Sequence, residues 1–197
     1  MKKICSLILL LVVVFPAQAA ITAPEQLIRD TSDKVIADIK ANRQEYQRDP
    51  SKIYDLVNKI VLPHFDFSAM TDLALGNYKS EVSAAQRPVI VNEFRQLLVR
   101  TYSSALLEYT NQEVNYLPMK GKVEDGKVVV RTEIAQPGGF PIPIDYSLRR
   151  GNDGWKVFDI SVDQVSLVTN YRSSFARAIK KDGVDGLIKT LQEHNQP

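Results

Sequence analysis

The chain has 197 residues, with 25 basic and 23 acidic side chains, two His and a single Cys. At 44% apolar and 24% charged residues it has the composition of a folded globular protein, long enough to bury a core without disulfides or metals. One Cys excludes an intrachain disulfide, no Cys/His cluster has zinc-site spacing, and a net charge of +2 argues against a nucleic-acid binder.

Residues 1–19 read as a secretory signal peptide. Lys2 and Lys3 precede an apolar run over 4–15, Pro16 breaks it, and Ala17-Gln18-Ala19 offers a small-residue cleavage site. This twelve-residue run, interrupted only by Ser6, is too short for a membrane span, and Cys5 lies at its start, whereas a lipoprotein signal places its Cys after the run. Removal of this segment takes Lys2, Lys3 and Cys5 with it. It leaves 178 residues with no net charge and no Cys. The expectation is a periplasmic or secreted protein, with residues 20–197 as one domain held by its core alone.

Pro24 suits a first helical turn, and Leu27, Ile28, Thr31, Val35 and Ile39 follow at helical spacing. The polar stretch 40–49 is either the end of that helix or a loop. Pro50 opens a second helix, with Ile53, Leu56, Val57, Ile60 and Val61 on one stripe, and Pro63 is expected to end it. A short amphipathic helix over 65–75 stops at Gly76. Ser83 and Gln86 form a capping-box pattern before a long helix carrying Ile90, Phe94, Leu97, Leu98, Thr101, Ala105 and Tyr109 on one stripe. Pro88 either kinks that helix or marks its start.

From Gln112 the period becomes two. Val128, Val130, Thr132 and Ile134 share one face of a strand, and Ile142, Ile144, Tyr146 and Leu148 one face of another. Residues 137–141 are a loop between these strands. Gly151-Asn152-Asp153-Gly154 predicts an antiparallel hairpin. In the next strand, 155–162, alternation puts Trp155, Val157 and Asp159 on one face and Phe158, Ile160 and Val162 on the other, so both faces are covered or one borders a cavity. Two helices, 166–180 and 184–194, close the chain across Asp182-Gly183. The fold class is α+β: a curved antiparallel sheet wrapped by helices on its concave side.

Chemistry is sparse. No nucleophile elbow, phosphate-cradling glycine loop or His-x-x-x-His pair is present. His64 and Asp66 are spaced for an acid–base pair, but Asp66 suits the N-cap of the helix after it better. Asp159 needs a partner if half-buried: a hydrogen-bond anchor between strand and helix is the stronger reading, a ligand head-group contact the weaker. Tyr78, Tyr102, Tyr109, Tyr116, Tyr146 and Tyr171 suit the rim of an apolar cavity or a plain core. Arg172, Arg177, Lys180 and Lys181 make the first closing helix basic.

Several blocks, in order, span most of the mature chain. They are Leu62-Pro63-His64-Phe65-Asp66-Phe67 with Met70 and Leu73-Ala74-Leu75-Gly76-Asn77-Tyr78, then Phe94-Arg95-Gln96-Leu97-Leu98-Val99-Arg100-Thr101-Tyr102 with Ala105-Leu106-Leu107-Glu108-Tyr109. Trp155-Lys156-Val157-Phe158-Asp159-Ile160, Val165-Ser166-Leu167, Asn170-Tyr171-Arg172 with Phe175, and Gly183-Val184-Asp185-Gly186-Leu187-Ile188 complete them. Together they resemble the MlaC-type periplasmic phospholipid-binding proteins, also called toluene-tolerance auxiliary proteins. Gln164 stands where that family often has Gly, Lys79 where a second aromatic is common, and Pro88 is not typical of its helix.

The resemblance implies a cystatin/NTF2-like cone with an internal apolar cavity, no reaction and no cofactor or metal. It implies a monomeric carrier of phospholipid between an outer-membrane lipoprotein–porin complex and an inner-membrane ATP-binding-cassette transporter, maintaining outer-membrane lipid asymmetry. Head groups staying in water would require no dedicated charge site. The expected lipid-facing residues are Met70, Leu73, Leu75, Tyr78, Phe94, Leu97, Leu98, Thr101, Tyr102, Val130, Ile144, Tyr146, Val157, Asp159, Val165, Leu167 and Tyr171. The alternatives are an enzyme on the same scaffold, using Asp159, Tyr78 or His64 with Asp66 on an apolar substrate, and a ligand-free adaptor.

Overall fold

The computed structural model describes residues 23–108, 112–136 and 138–196. The expected signal segment, Tyr109 and Pro137 lie outside the described residues. Helices come first: α1 Pro24–Ala41, α2 Arg43–Arg48, α3 Lys52–Leu56, α4 Phe67–Leu75 and α5 Gln86–Tyr102. Strands β1 Val114–Lys120, β2 Lys127–Ile134, β3 Ile142–Gly151, β4 Gly154–Val162 and the two-residue β5 Val165–Ser166 follow. Helices α6 Leu167–Asn170 and α7 Arg172–His194 end the chain. The five strands form an antiparallel meander in chain order.

Most expected signals act as read. Ser83 Oγ accepts from the Gln86 amide at 3.2 Å and the Gln86 side chain accepts from the Ser83 amide at 3.1 Å, which completes the capping box. Pro88 falls in the first turn of α5, where its missing N–H costs nothing. The polar stretch after α1 is helical as α2, because Tyr46 buries its ring and donates to Asp38 at 2.5 Å. Asp182 and Gly183 leave helical geometry inside α7, with Gly183 at φ 69°, so the two expected closing helices meet at a kink.

The second helix departs from a regular α-helix before its end. The helical run ends within one residue of Pro63, as expected, but its pitch changes first. Residues Val57–Val61 form a π turn and Leu62–His64 a 3-10 turn that contains Pro63. A proline ring collides with the carbonyl four residues earlier in a regular helix, and the widened turn removes that collision.

Strand β4 holds the larger correction. Val157 pairs with Leu148, but Asp159 pairs with Ser147 and Ile160 with Tyr146. Phe158 is therefore an extra residue in a bulge, and the side-chain phase reverses after it. Ile160 and Val162 join the face of Trp155 and Val157, while Asp159 moves to the opposite one. Paired rows then run across one face: Val130, Tyr146, Ile160; and Tyr116, Thr132, Ile144, Val162. The other face carries charges such as the Arg131–Asp145 pair at 3.7 Å. A second register shift falls between Leu117 and Lys120 on edge strand β1, where Pro118 needs no ladder partner. At the β4–β5 turn, Asp163 and Gln164 both have positive φ, so Gln164 takes a left-handed conformation that ordinarily favours glycine.

Three apolar clusters result. One joins α4, α5, α6 and α7 around Phe94, Phe175 and Leu187. A second lies between Ile28 of α1 and the sheet residues Val128, Val130, Leu148, Trp155 and Val157. A third joins Val35 and Ile39 of α1 to Tyr46, Ile53 and Leu56. Arg172 donates to the Leu73 carbonyl from Nε at 3.1 Å and Nη2 at 2.9 Å, fastening α7 to the end of α4.

Two tests follow from this packing. Alanine usually stabilises a helix relative to glycine. At Gly186 a new Cβ would meet the Asp182 Cβ at 2.3 Å, across the kink, and that atom is fixed to the backbone. Gly186→Ala should therefore cost about 1–3 kcal/mol in urea unfolding; a gain in stability would contradict the packing.

The second concerns Asp72, which bonds Lys79 Nζ at 2.7 Å and Arg87 of α5. Burial pushes its carboxyl up, but the two cations outweigh burial and hold it below the usual carboxylate range. Its folded-state value lies below its unfolded one. Its stabilising contribution is complete above about pH 4 and is lost as pH falls through the folded value. Asp72→Asn should be less stable at neutral pH and lose less further stability below about pH 4 than wild type.

Candidate functional site

Two apolar cavities lie between the helices and the sheet. The first, about 180 Å³, is lined by Val57, Val61, Leu62, Phe65, Phe67, Met70, Leu98, Val99, Tyr102, Ser103, Leu106, Ile160 and Leu167. The second, about 240 Å³, lies under α1 and against the sheet, with Ile28, Val35, Ile36 and Ile39 on one side and Val114, Ile134, Ile144, Tyr146 and Val157 on the other. Val61, Phe65, Leu106 and Ile160 line both, so these four side chains form the partition.

The segment between the 3-10 turn and α4 fixes that partition. The Asp66 amide donates to the Val157 carbonyl at 2.8 Å. One carboxylate oxygen of Asp66 accepts from the Ala69 amide at 2.9 Å, capping α4, and the other accepts from Arg149 Nε at 2.6 Å. Flanking Asp66, Phe65 and Phe67 stack with ring centroids 5.9 Å apart. Lys156 Nζ donates to the Pro63 carbonyl at 2.7 Å. Asp66 is therefore a cap and a tether.

The lining carries no ionised side chain at neutral pH. Burial, helped by Tyr116, pushes the Tyr146 phenol up to about 12. Burial, with the Tyr171 hydroxyl nearby, pushes Tyr102 to about 12. His64 lines the second cavity, and burial with the charges of Lys156 and Lys34 lowers its affinity for a proton, so its ring stays neutral. The hydroxyls of Thr31 and Thr132 donate to the Leu27 and Ile144 carbonyls at 2.7 and 3.1 Å.

The structure divides the expected lipid-facing residues. Met70, Leu98, Tyr102 and Leu167 line the first cavity, and Ile144, Tyr146 and Val157 the second. Leu75 and Phe94 are buried within the helical cluster, with Leu73, Tyr78, Leu97 and Tyr171 packed partly buried against it. Val130 is buried in the sheet cluster. Thr101 and Val165 are exposed, Val165 by 57%. The reason on α5 is geometric: Leu98, Val99 and Tyr102 turn toward the cavity, while Ile90 and Phe94 face α7. Val57, Val61, Leu62, Phe65, Leu106 and Ile160 are lining residues absent from the expectation. Leu62, Phe65, Leu106 and Ile160 stand in the quoted blocks, but Ile160 is out of phase until the bulge is known.

Asp159 is 9% exposed and accepts from Ser166 Oγ at 2.6 Å and the Val168 amide at 3.3 Å. It joins β4 to the start of α6, as an anchor does, and it does not line either cavity.

The profile of the family described as "MlaC protein" matches residues 29–193. The chain belongs to the MlaC family. Among curated MlaC relatives, the intermembrane phospholipid transport system binding protein of Haemophilus influenzae is 29% identical over 175 residues, covering 87% of this chain and 82% of that protein. Toluene tolerance protein ttg2D of Pseudomonas putida is 29% identical over 187 residues, covering 93% and 86%. The phospholipid-binding protein of Ralstonia solanacearum, solved in complex with a phospholipid, superimposes with a TM-score of 0.80 at 33% identity, covering 88% of this chain and 97% of that one. The open five-stranded sheet with helices packed on it is thus the architecture of a solved MlaC relative.

The anchor role of Asp159 in this MlaC-family chain predicts that Asp159→Ala costs about 1–3 kcal/mol in urea unfolding, because the buried Val168 amide loses its acceptor. Unchanged stability would overturn that role.

Proposed function

We propose that this chain is a periplasmic phospholipid carrier, with residues 1–19 as its signal peptide and 20–197 as one lipid-binding domain. One observation carries the reading: two adjoining cavities, lined by apolar and uncharged side chains, sit between the helices and the sheet of an MlaC-family chain. The names of its relatives and the phospholipid held by the Ralstonia protein support it. Among the described residues no helix is long and apolar enough to cross a membrane.

The energetic need is large. At ~0.8 kcal/mol per CH₂, exposing roughly thirty methylenes of two acyl chains to water costs on the order of 20 kcal/mol. Apolar cavities remove that cost during transit. A mature chain without net charge also leaves anionic membranes readily, since each Lys or Arg near such a surface adds about 1 kcal/mol of attraction. On this reading the protein works as a monomer, shuttling between an outer-membrane lipoprotein–porin complex and an inner-membrane ATP-binding-cassette transporter, and catalyses no reaction.

Native mass spectrometry of the purified protein, followed by organic extraction, should release phospholipid. Ile160→Arg places a charge in the partition between the cavities and should lower bound lipid at least about tenfold while the fold persists by circular dichroism. Wild-type protein without lipid, and without uptake from vesicles, would overturn the carrier reading.

A further inference from the structure

The wall of the second cavity carries an imidazole. His64 closes the 3-10 turn just before Phe65 of the partition and is half-buried. It shares the lining with Ser32 and Val35 of α1 and with Val157 and Ile160 of β4. Among the described residues no Asp, Glu, Lys or Arg lines either cavity, and the phenols of Tyr102 and Tyr146 titrate only at about 12. His64 is thus the lining group whose charge can change near neutral pH.

Its surroundings oppose that charge. The charges that act on the ring come from both elements packed against it, Lys34 from α1 and Lys156 from β4, and both are positive. Lys156 is fixed on the carbonyl of Pro63, the residue before His64, at 2.7 Å. On the same segment Asp66 is engaged by the Ala69 amide and by Arg149. Among the described residues no ion pair includes His64. Burial, with these two lysines, holds the ring's proton affinity below that of an ordinary imidazole.

Filling the cavity strengthens the effect. An acyl chain replaces water beside the ring with hydrocarbon, which costs an imidazolium far more than a neutral imidazole. Chain and proton therefore oppose each other at this wall, and by linkage each lowers the affinity for the other. We propose that His64 makes lipid retention pH-dependent: chains are held in the second cavity while the ring is neutral and are released as it takes up a proton. The inference rests on the carrier reading and adds a control to it. Retention weakens as pH falls through the range in which the empty protein binds this proton, below about 6.5, and levels off once the loaded protein binds it too. One proton limits the loss to about tenfold in affinity per pH unit. An anionic membrane concentrates protons at its surface, so the carrier holds its chains less tightly where it meets one.

The chain has two His, and the second, His194, is exposed near the end of α7 and serves as an internal reference in proton NMR. His64 should titrate at a lower pH in protein loaded with phosphatidylglycerol than in delipidated protein, while His194 titrates alike in both. In parallel, labelled phosphatidylglycerol is partitioned between the protein and phosphatidylcholine vesicles at about pH 7.5 and about pH 5, where neither lipid changes charge, with a thermal melt at each pH. Bound lipid should fall at least about threefold at the lower pH in wild type. In His64→Gln the ratio between the two pH values should be close to one, whatever the variant's affinity. Equal His64 midpoints in loaded and empty protein would overturn the proposal, and that measurement decides alone if the variant does not fold. Equal retention by wild type at both pH values, or a loss that persists in His64→Gln, would overturn it as well. Each of these outcomes leaves the carrier reading standing; wild type taking up no lipid at either pH would sink both.

Discussion

One carboxylate ties the helices to the sheet at the border of the cavities. Asp66 sits between the two aromatic rings that border the cavities, and its bonds run in three directions: its amide to the carbonyl of Val157 in β4, one oxygen to the start of α4, the other to Arg149 of β3. Apart from this tether, the Asp159 anchor to α6 and the Lys156 bond to the Pro63 carbonyl, helices and sheet meet mainly through apolar contact, which has no direction. Hydrogen bonds at a helix cap and a strand carbonyl do have direction, and they set where Phe65 and Phe67 stand. With those rings placed, the partition between the cavities is placed as well.

The hollow interior depends equally on the β4 bulge. Without the extra residue Phe158, Ile160 and Val162 would turn toward the charged face of the sheet. With it, one face is apolar from Trp155 to Val162 while the opposite face keeps Arg131, Asp145 and Arg149. A sheet so divided can lie under α1 and α4 and still leave space, because α1 packs at its two ends, through Ile28 and through Val35 and Ile39. Neutral phenols and a neutral imidazole then keep charge out of that space. The cationic groups near it, Lys34 and Lys156 among them, stand outside the lining.

Much of this architecture was legible in the sequence. Capping pairs, proline positions, the Gly151–Gly154 turn and the Asp182–Gly183 break are local signals, and local geometry obeys them. Residue-level placement of the cavities was less legible, for a physical reason. Core and lining are both apolar, and what separates Phe94 in the core from Leu98 on the wall is whether a neighbour fills the space. Periodicity carries no information about that. The π turn hid Val61 and Leu62, since the sequence there reads as an ordinary helix before a proline. The bulge hid Ile160 and misplaced Asp159, because alternation counts residues and a bulge adds one. Asp159 was nevertheless chemically legible: a buried carboxylate needs donors, and Ser166 and the Val168 amide supply them.

The ends of the sheet have a consequence of their own. β1 breaks its register around Pro118, and β5 is only two residues long. An uninterrupted edge is a template on which another chain can add a strand, and broken or very short edges deny it one. β4, which β5 covers only at Ser161 and Val162, has its Val157 carbonyl occupied by the Asp66 amide. A protein with one strongly apolar sheet face and no disulfide thus ends its sheet in ways that discourage stacking into fibres, and the protection costs no extra domain.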